Sequence, residues 1–166
     1  MRKNLVAIFL LLSSTAFSQE ELVTTFILVR HAEKDLTQST NDPDLSAEGK
    51  ARADRLVEML KKTEVQAIYS TPYKRTQQTV APLASSKSLE VVSYQGNKLE
   101  EVDTILKQHV GETIVMAGHS NTIPQVVNYL LGEEKYRVLE DGDYGNIIVV
   151  SVVTKGKNAK VVWLTY

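Results

Sequence analysis

Residues 22–29 read Leu-Val-Thr-Thr-Phe-Ile-Leu-Val, an uncharged run of apolar and β-branched side chains. Alternate side chains of a strand point to opposite faces, so a run with no polar face suits a strand covered on both sides. Helices above and below the sheet are the usual cover, and the following sequence supplies them in alternation with further strands. Ser46 is placed to cap a helix whose apolar positions are Ala47, Ala51, Leu56, Val57 and Leu60. A short strand at 65–69 comes next, then a helix near 72–86 whose leading Pro72 suits a first turn, where its missing N–H is harmless. A strand near 89–92, a helix near 99–109, a buried strand at 113–117 and a helix near 123–131 stopped by Gly132 continue the pattern. Ile147–Val153 and Ala159–Leu164 read as two strands joined by the turn-forming Lys155-Gly156-Lys157-Asn158. The expected fold is a three-layer α/β/α domain with a mostly parallel mixed sheet.

Composition narrows the chemistry of such a domain. The chain has 166 residues and no cysteine, which excludes a disulfide framework, a thiol nucleophile and a cysteine-ligated metal. Its 19 basic and 20 acidic residues leave a net charge of -1, so neither a nucleic-acid groove nor a polybasic membrane surface is advertised. Met1-Arg2-Lys3-Asn4 is basic, Leu5–Leu12 is apolar, and Ser13–Ser18 is rich in small residues, with Ala16 and Ser18 at the minus-three and minus-one positions before Gln19. Residues 1–18 therefore read as a secretory signal peptide and 19–166 as the working domain. The apolar run is far short of the roughly 20 residues that span a bilayer. The mature chain is expected to be periplasmic or secreted, with no stable membrane insertion after cleavage.

Ligands of open α/β sheets bind beyond the carboxyl ends of the strands, and three such exits carry unusual side chains. The first strand runs into Arg30-His31-Ala32-Glu33, the second into Ser70-Thr71-Pro72-Tyr73-Lys74-Arg75-Thr76-Gln77-Gln78-Thr79, and the fourth into Gly118-His119-Ser120-Asn121-Thr122. Two arginines and two of the three histidines converge on one rim if these strands are parallel neighbours. Guanidinium forks match phosphate oxygens, helix N-termini add to the same attraction, and an imidazole can accept a phosphoryl group covalently. That role needs a lone pair on one ring nitrogen, with the other fixed by a neighbouring carbonyl. Ser120, Asn121 and Thr122 are read first as a helix cap and second as substrate contacts. His109, near a helix C-terminus, is read as structural. Asp141–Asn146 is read as a tight polar turn without the ligand spacing of a calcium loop.

On these residues the chain resembles the histidine phosphatase superfamily, which contains the phosphoglycerate mutase-like enzymes. Arg30-His31-Ala32 is similar to its Arg-His-Gly signature, Ser70–Thr79 to its second, Gly118-His119-Ser120 to its third, and Leu45-Ser46-Ala47-Glu48-Gly49 to the opening of its first helix. The resemblance implies a phosphoglycerate mutase-like fold, with His31 as nucleophile, Arg30 and Arg75 clamping the phosphoryl oxygens, and His119 completing the pocket. It also implies a small phosphorylated substrate, with no cofactor or metal, since arginines and histidines already neutralise the phosphate. The absence of the family's substrate-covering insertion after Tyr94 suits an open site like those of small phosphohistidine phosphatases, and net hydrolysis rather than phosphoryl retention. The proton donor is the gap in the pattern. The segment Tyr94-Gln95-Gly96-Asn97 lacks the expected acid, which leaves Glu33 as the first candidate and Glu100 or Glu101 as the others. Ala32 also departs from the family's glycine. A metal-independent phosphomonoester hydrolase is the leading reading. A phosphohistidine phosphoamidase and a phospho-ligand binding module with little turnover are the alternatives.

Overall fold

The computed structural model describes residues 21–166, so the expected signal peptide at 1–18 lies outside the described residues. Strands β1 (Thr24–Arg30), β2 (Ala67–Ser70), β3 (Val91–Ser93), β4 (Thr113–Gly118), β5 (Asn146–Thr154) and β6 (Asn158–Thr165) alternate with helices α1 (Ala47–Leu60), α2 (Lys74–Lys87), α3 (Leu99–Gln108) and α4 (Thr122–Leu131), except for the β5–β6 hairpin that ends the chain. They form one six-stranded sheet in the order β3-β2-β4-β1-β5-β6. The first four strands in that order are parallel, and β5 joins β1 antiparallel. The expected architecture is therefore the observed one, with element ends shifted by one or two residues.

Two-sided burial of β1 is what the opening run demands. Phe26 and Leu28 pack with Val102 and Ile105 of α3 and with Ile123, Val126 and Leu130 of α4, while Ile27 and Val29 pack on the opposite face with Leu56 of α1 and Val80 and Leu83 of α2. Fully burying an aliphatic or aromatic side chain is worth about 1.5–3 kcal/mol, and here both faces of one strand collect that gain. Ser46 caps α1 as expected, its Oγ accepting from the Gly49 amide at 3.1 Å. Gly49 is required by close approach: a Cβ there would lie 2.1 Å from the Glu33 carbonyl oxygen. That packing fixes the start of α1 against the loop leaving β1. Gly132 ends α4 at φ 74°, in the left-handed region that glycine enters cheaply.

Register brings the three exits together. Arg30 pairs with Gly118, and Ser70 with Ala117, on the last rungs of β1, β4 and β2. The chain directions then carry His31, Thr71 and His119 past the same sheet edge. The exits are also tied to one another, since the His31 amide donates to the Gly118 carbonyl at 2.8 Å and the Thr71 amide to the Ala117 carbonyl at 3.2 Å.

Candidate active site

Beyond those rungs lies a cavity of about 580 Å³, lined by Arg30, His31, Arg75 and His119 together with Lys34, Thr71, Tyr73 and the amide side chains of Gln95, Asn97 and Asn121. All four residues expected to handle phosphate are thus gathered in one place. The two imidazole centroids are 5.4 Å apart.

His31 is 5% exposed, and its Nδ1 lies 2.8 Å from the Ala32 carbonyl oxygen. A carbonyl only accepts, so Nδ1 carries the proton and Nε2 keeps its lone pair. Burial is the main force lowering the pKa of His31 to about 3; the Ala32 hydrogen bond opposes it, and the charges of His119, Arg30 and Arg75 reinforce it. The ring is neutral at physiological pH, as a nucleophile has to be.

Arg30 is equally buried. Its Nη1 donates to the Glu140 carbonyl at 2.7 Å and to that of Asp143 at 3.3 Å, and its guanidinium carbon lies 4.3 Å from the centre of the Tyr144 ring. Its Nε is buried with no hydrogen-bond partner among the described residues. An unpaired donor on a buried cation is costly.

Arg75 is held more loosely. Its Nη1 reaches the Asn41 carbonyl at 3.3 Å and Asp42 Oδ1 at 3.4 Å, and its guanidinium carbon lies 4.7 Å from the centre of the Tyr73 ring. Asp42 also accepts from the Lys74 amide at 3.0 Å, which caps α2 from a distant loop because Tyr73, at the N-cap position, makes no side-chain cap bond. Arg75 Nη2 approaches His119 Nδ1 at 3.4 Å, and His119 Nε2 lies 2.9 Å from Thr71 Oγ1. A guanidinium only donates, so Nδ1 is the acceptor and Nε2–H points to the threonine. Burial first, then Arg75 and Arg30, lower the pKa of His119 to about 4, with Asp42 pulling the other way.

Glu33, the first candidate for proton donor, does not line the cavity. Its carboxylate accepts from Arg52 Nε at 2.8 and 2.9 Å, and Arg52 is itself anchored on the Tyr166 carbonyl. Burial alone would raise the pKa of Glu33, but the hydrogen bonds and charge of Arg52 outweigh it and hold the group below the ordinary value. Glu33 is thus taken up by Arg52 and stands outside the cavity lining, apart from the four phosphate-handling candidates. Glu101 is taken up by the Gln95 amide at 2.8 Å, and Glu100 is exposed on α3; neither lines the cavity. Asn121 makes no side-chain cap bond, and Thr122 Oγ1 instead accepts from the His119 amide at 2.9 Å. The cap reading of this triplet yields to pocket lining. Ala32 keeps a negative φ and packs with Leu45 and Ala53, so the missing glycine strains nothing. His109 is structural as expected, bridging Tyr69 Oη at 2.9 Å and Glu112 at 2.6 Å. The polar turn, by contrast, contributes more than a turn: Asp141 lines the cavity and Tyr144 stands 5.8 Å from the His31 ring.

The model of the histidine phosphatase superfamily (branch 1) matches residues 26–103. Phosphoserine phosphatase 1 of Hydrogenobacter thermophilus is 40% identical over 82 residues, which are 46% of this chain and 38% of that relative's length. Among solved structures, a phosphoserine phosphatase from Entamoeba histolytica in complex with phosphoserine superposes with a TM-score of 0.67 at 18% identity, covering 84% of this chain and 95% of the other. The protein histidine phosphatase SixA complexed with tungstate gives 0.66 at 15% identity, covering 85% and 96%. A mycobacterial glucosyl-3-phosphoglycerate phosphatase gives 0.66 at 13% identity, covering 87% and 98%.

Proposed function

We propose that the chain, whose residues 26–103 match the model of the histidine phosphatase superfamily (branch 1), is a metal-independent phosphomonoester hydrolase working through a phosphohistidine on His31. The observation that carries this reading is the His31 imidazole, held as the Nδ1–H tautomer by Ala32 between two guanidiniums and a second histidine. The Nε2 lone pair attacks phosphorus as the ester P–O bond breaks; water then attacks the phosphoryl group as the N–P bond breaks. Arg30 donates to one non-bridging oxygen and Arg75 to another. His119 is depressed by the same arginines, so a bound dianion raises its proton affinity and recruits it as a charged donor. Preorganised donors of this kind are usually the largest catalytic contribution.

The test is phosphate release by residues 19–166 from aryl phosphates, alkyl phosphates and a phosphohistidine peptide, with EDTA present. Turnover that survives EDTA, with a His31-linked phosphoryl group trapped by an alkaline detergent quench and lost in His31→Ala, supports the reading. A folded protein that binds phosphate without turnover or labelling refutes it. The phosphohistidine peptide addresses a second reading, which the short 94–98 connection and the half-exposed Tyr73 at the cavity rim favour: an opening wide enough for a protein substrate. We also propose, from residues 1–18 alone, that the enzyme acts outside the cytoplasm; N-terminal sequencing of exported protein should begin at Gln19.

A further inference from the structure

We propose that Asp141 is the proton donor to the leaving oxygen, so that the substrates of this site are phosphate esters with poorly acidic alcohols. The inference rests on the phosphatase reading and deepens it. In-line displacement puts the nucleophile and the leaving oxygen on opposite sides of phosphorus. Arg30 and His31 are both 5% exposed and form the floor of the cavity, so the leaving oxygen emerges on the solvent side. The acid therefore has to stand at the mouth. Asp141 is the only carboxylate among the described residues lining the cavity, and it is exposed. Glu33 is excluded by its ion pair with Arg52, and Asp42 by its bonds to Arg75 and the α2 amide.

The loop that carries Asp141 is fastened to the catalytic floor on both sides of it. The Leu139 amide donates to the Ser120 carbonyl at 3.0 Å, and the carbonyls of Glu140 and Asp143 both hold Arg30 Nη1. The guanidinium that grips the phosphoryl group is thus the same one that positions the backbone of the acid. As the His31–phosphorus bond forms and the P–O bond breaks, the Asp141 carboxylic acid gives its proton to the departing oxygen. The alcohol leaves and a carboxylate remains. In the second step that carboxylate takes a proton from the attacking water as the O–P bond forms, the N–P bond breaks and its electron pair returns to His31.

The experiment compares wild type with Asp141→Asn on a series of phosphate monoesters spanning aryl to alkyl leaving groups. General acid catalysis is worth about 10²–10⁴-fold. The expected result is a loss of at least about 100-fold in kcat/KM for alkyl esters and of only several-fold for nitrophenyl phosphates. Asp141→Glu should recover part of the loss. A uniform loss across leaving groups, or none, overturns the assignment while wild-type turnover and His31 labelling leave the phosphatase reading standing. Wild type without turnover or labelling overturns both.

Discussion

The pocket is built from two halves with the same parts and different fastenings. In one, Arg30 lies over Tyr144 and beside His31; in the other, Arg75 lies over Tyr73 and His119 packs edge-on against the same tyrosine at 4.8 Å. The first half is buried and closed by a 2.7 Å bond to a main-chain carbonyl, whereas the contacts of Arg75 are 3.3–3.4 Å long and its tyrosine is 42% exposed. The fold explains the contrast. Arg30 is the last residue of a central strand, flanked by β4 and β5, while Arg75 sits in the first turn of a helix that needs a borrowed cap. The half that carries the proposed nucleophile is held by short contacts to the sheet. The half that carries His119 is held by longer ones.

The largest effect should come from His31→Ala, which removes the group that takes the phosphoryl in this scheme; turnover should fall by about 10⁴-fold or more, read by phosphate release and by loss of the acid-labile, alkali-stable label. Arg30→Ala is expected next. It removes both a transition-state donor and the anchor of the 139–143 loop, and a loss of about 10²–10³ in kcat is the magnitude for one such donor. Arg75→Ala should cost less, nearer tenfold, because its geometry is already loose. Equal losses from the two arginine variants would break the distinction between the halves.

How much of this was legible in the sequence divides along the same line. The rigid floor is announced by a buried strand ending in Arg-His, because strand periodicity fixes where the next residues go. His119 and Arg75 were legible for the same reason, each following a short apolar strand. The placement of Glu33 was not legible, because adjacency along the chain says nothing about which way a side chain turns, and Arg52, 19 residues on, claims it. Asp141 and Tyr144 were not found because residues 132–145 carry no hydrophobic periodicity. They reach the pocket through main-chain carbonyls that bind Arg30 across more than a hundred residues, and a carbonyl leaves no trace in residue type.

The borrowed cap offers a smaller perturbation confined to the looser half. Asp42→Asn keeps an acceptor for the Lys74 amide but loses the charge facing Arg75, whereas Asp42→Ala loses both. Removing a helix cap typically costs about 1 kcal/mol, so Asp42→Ala should lower the thermal midpoint by several degrees. Asp42→Asn should leave that midpoint nearly in place and change KM for phosphate esters by a few-fold. A Tm drop of the same size in both variants would mean that charge, and not the cap bond, holds the start of α2.

The smallest expected effect separates the two histidines through pH. Each has a folded pKa below 6.5, about 3 for His31 and about 4 for His119. Between 6.5 and those values the unfolded chain binds protons that the native one refuses, so stability falls as pH falls through the window and stops falling from this source below about 3. Replacing either histidine by asparagine, which cannot titrate there, should flatten the acid limb of a denaturant-derived stability curve. The flattening should be larger for His31→Asn, since that ring is the more deeply buried, and the two should differ by about 1 kcal/mol or less, one pKa unit being worth 1.36 kcal/mol. The difference should begin to appear below about pH 4 and be fully developed below about pH 3, because above pH 4 both native rings remain neutral. A larger flattening from His119→Asn would place the deeper desolvation in the half fastened by longer contacts, and would reverse the assignment of rigidity between the two sides of the pocket.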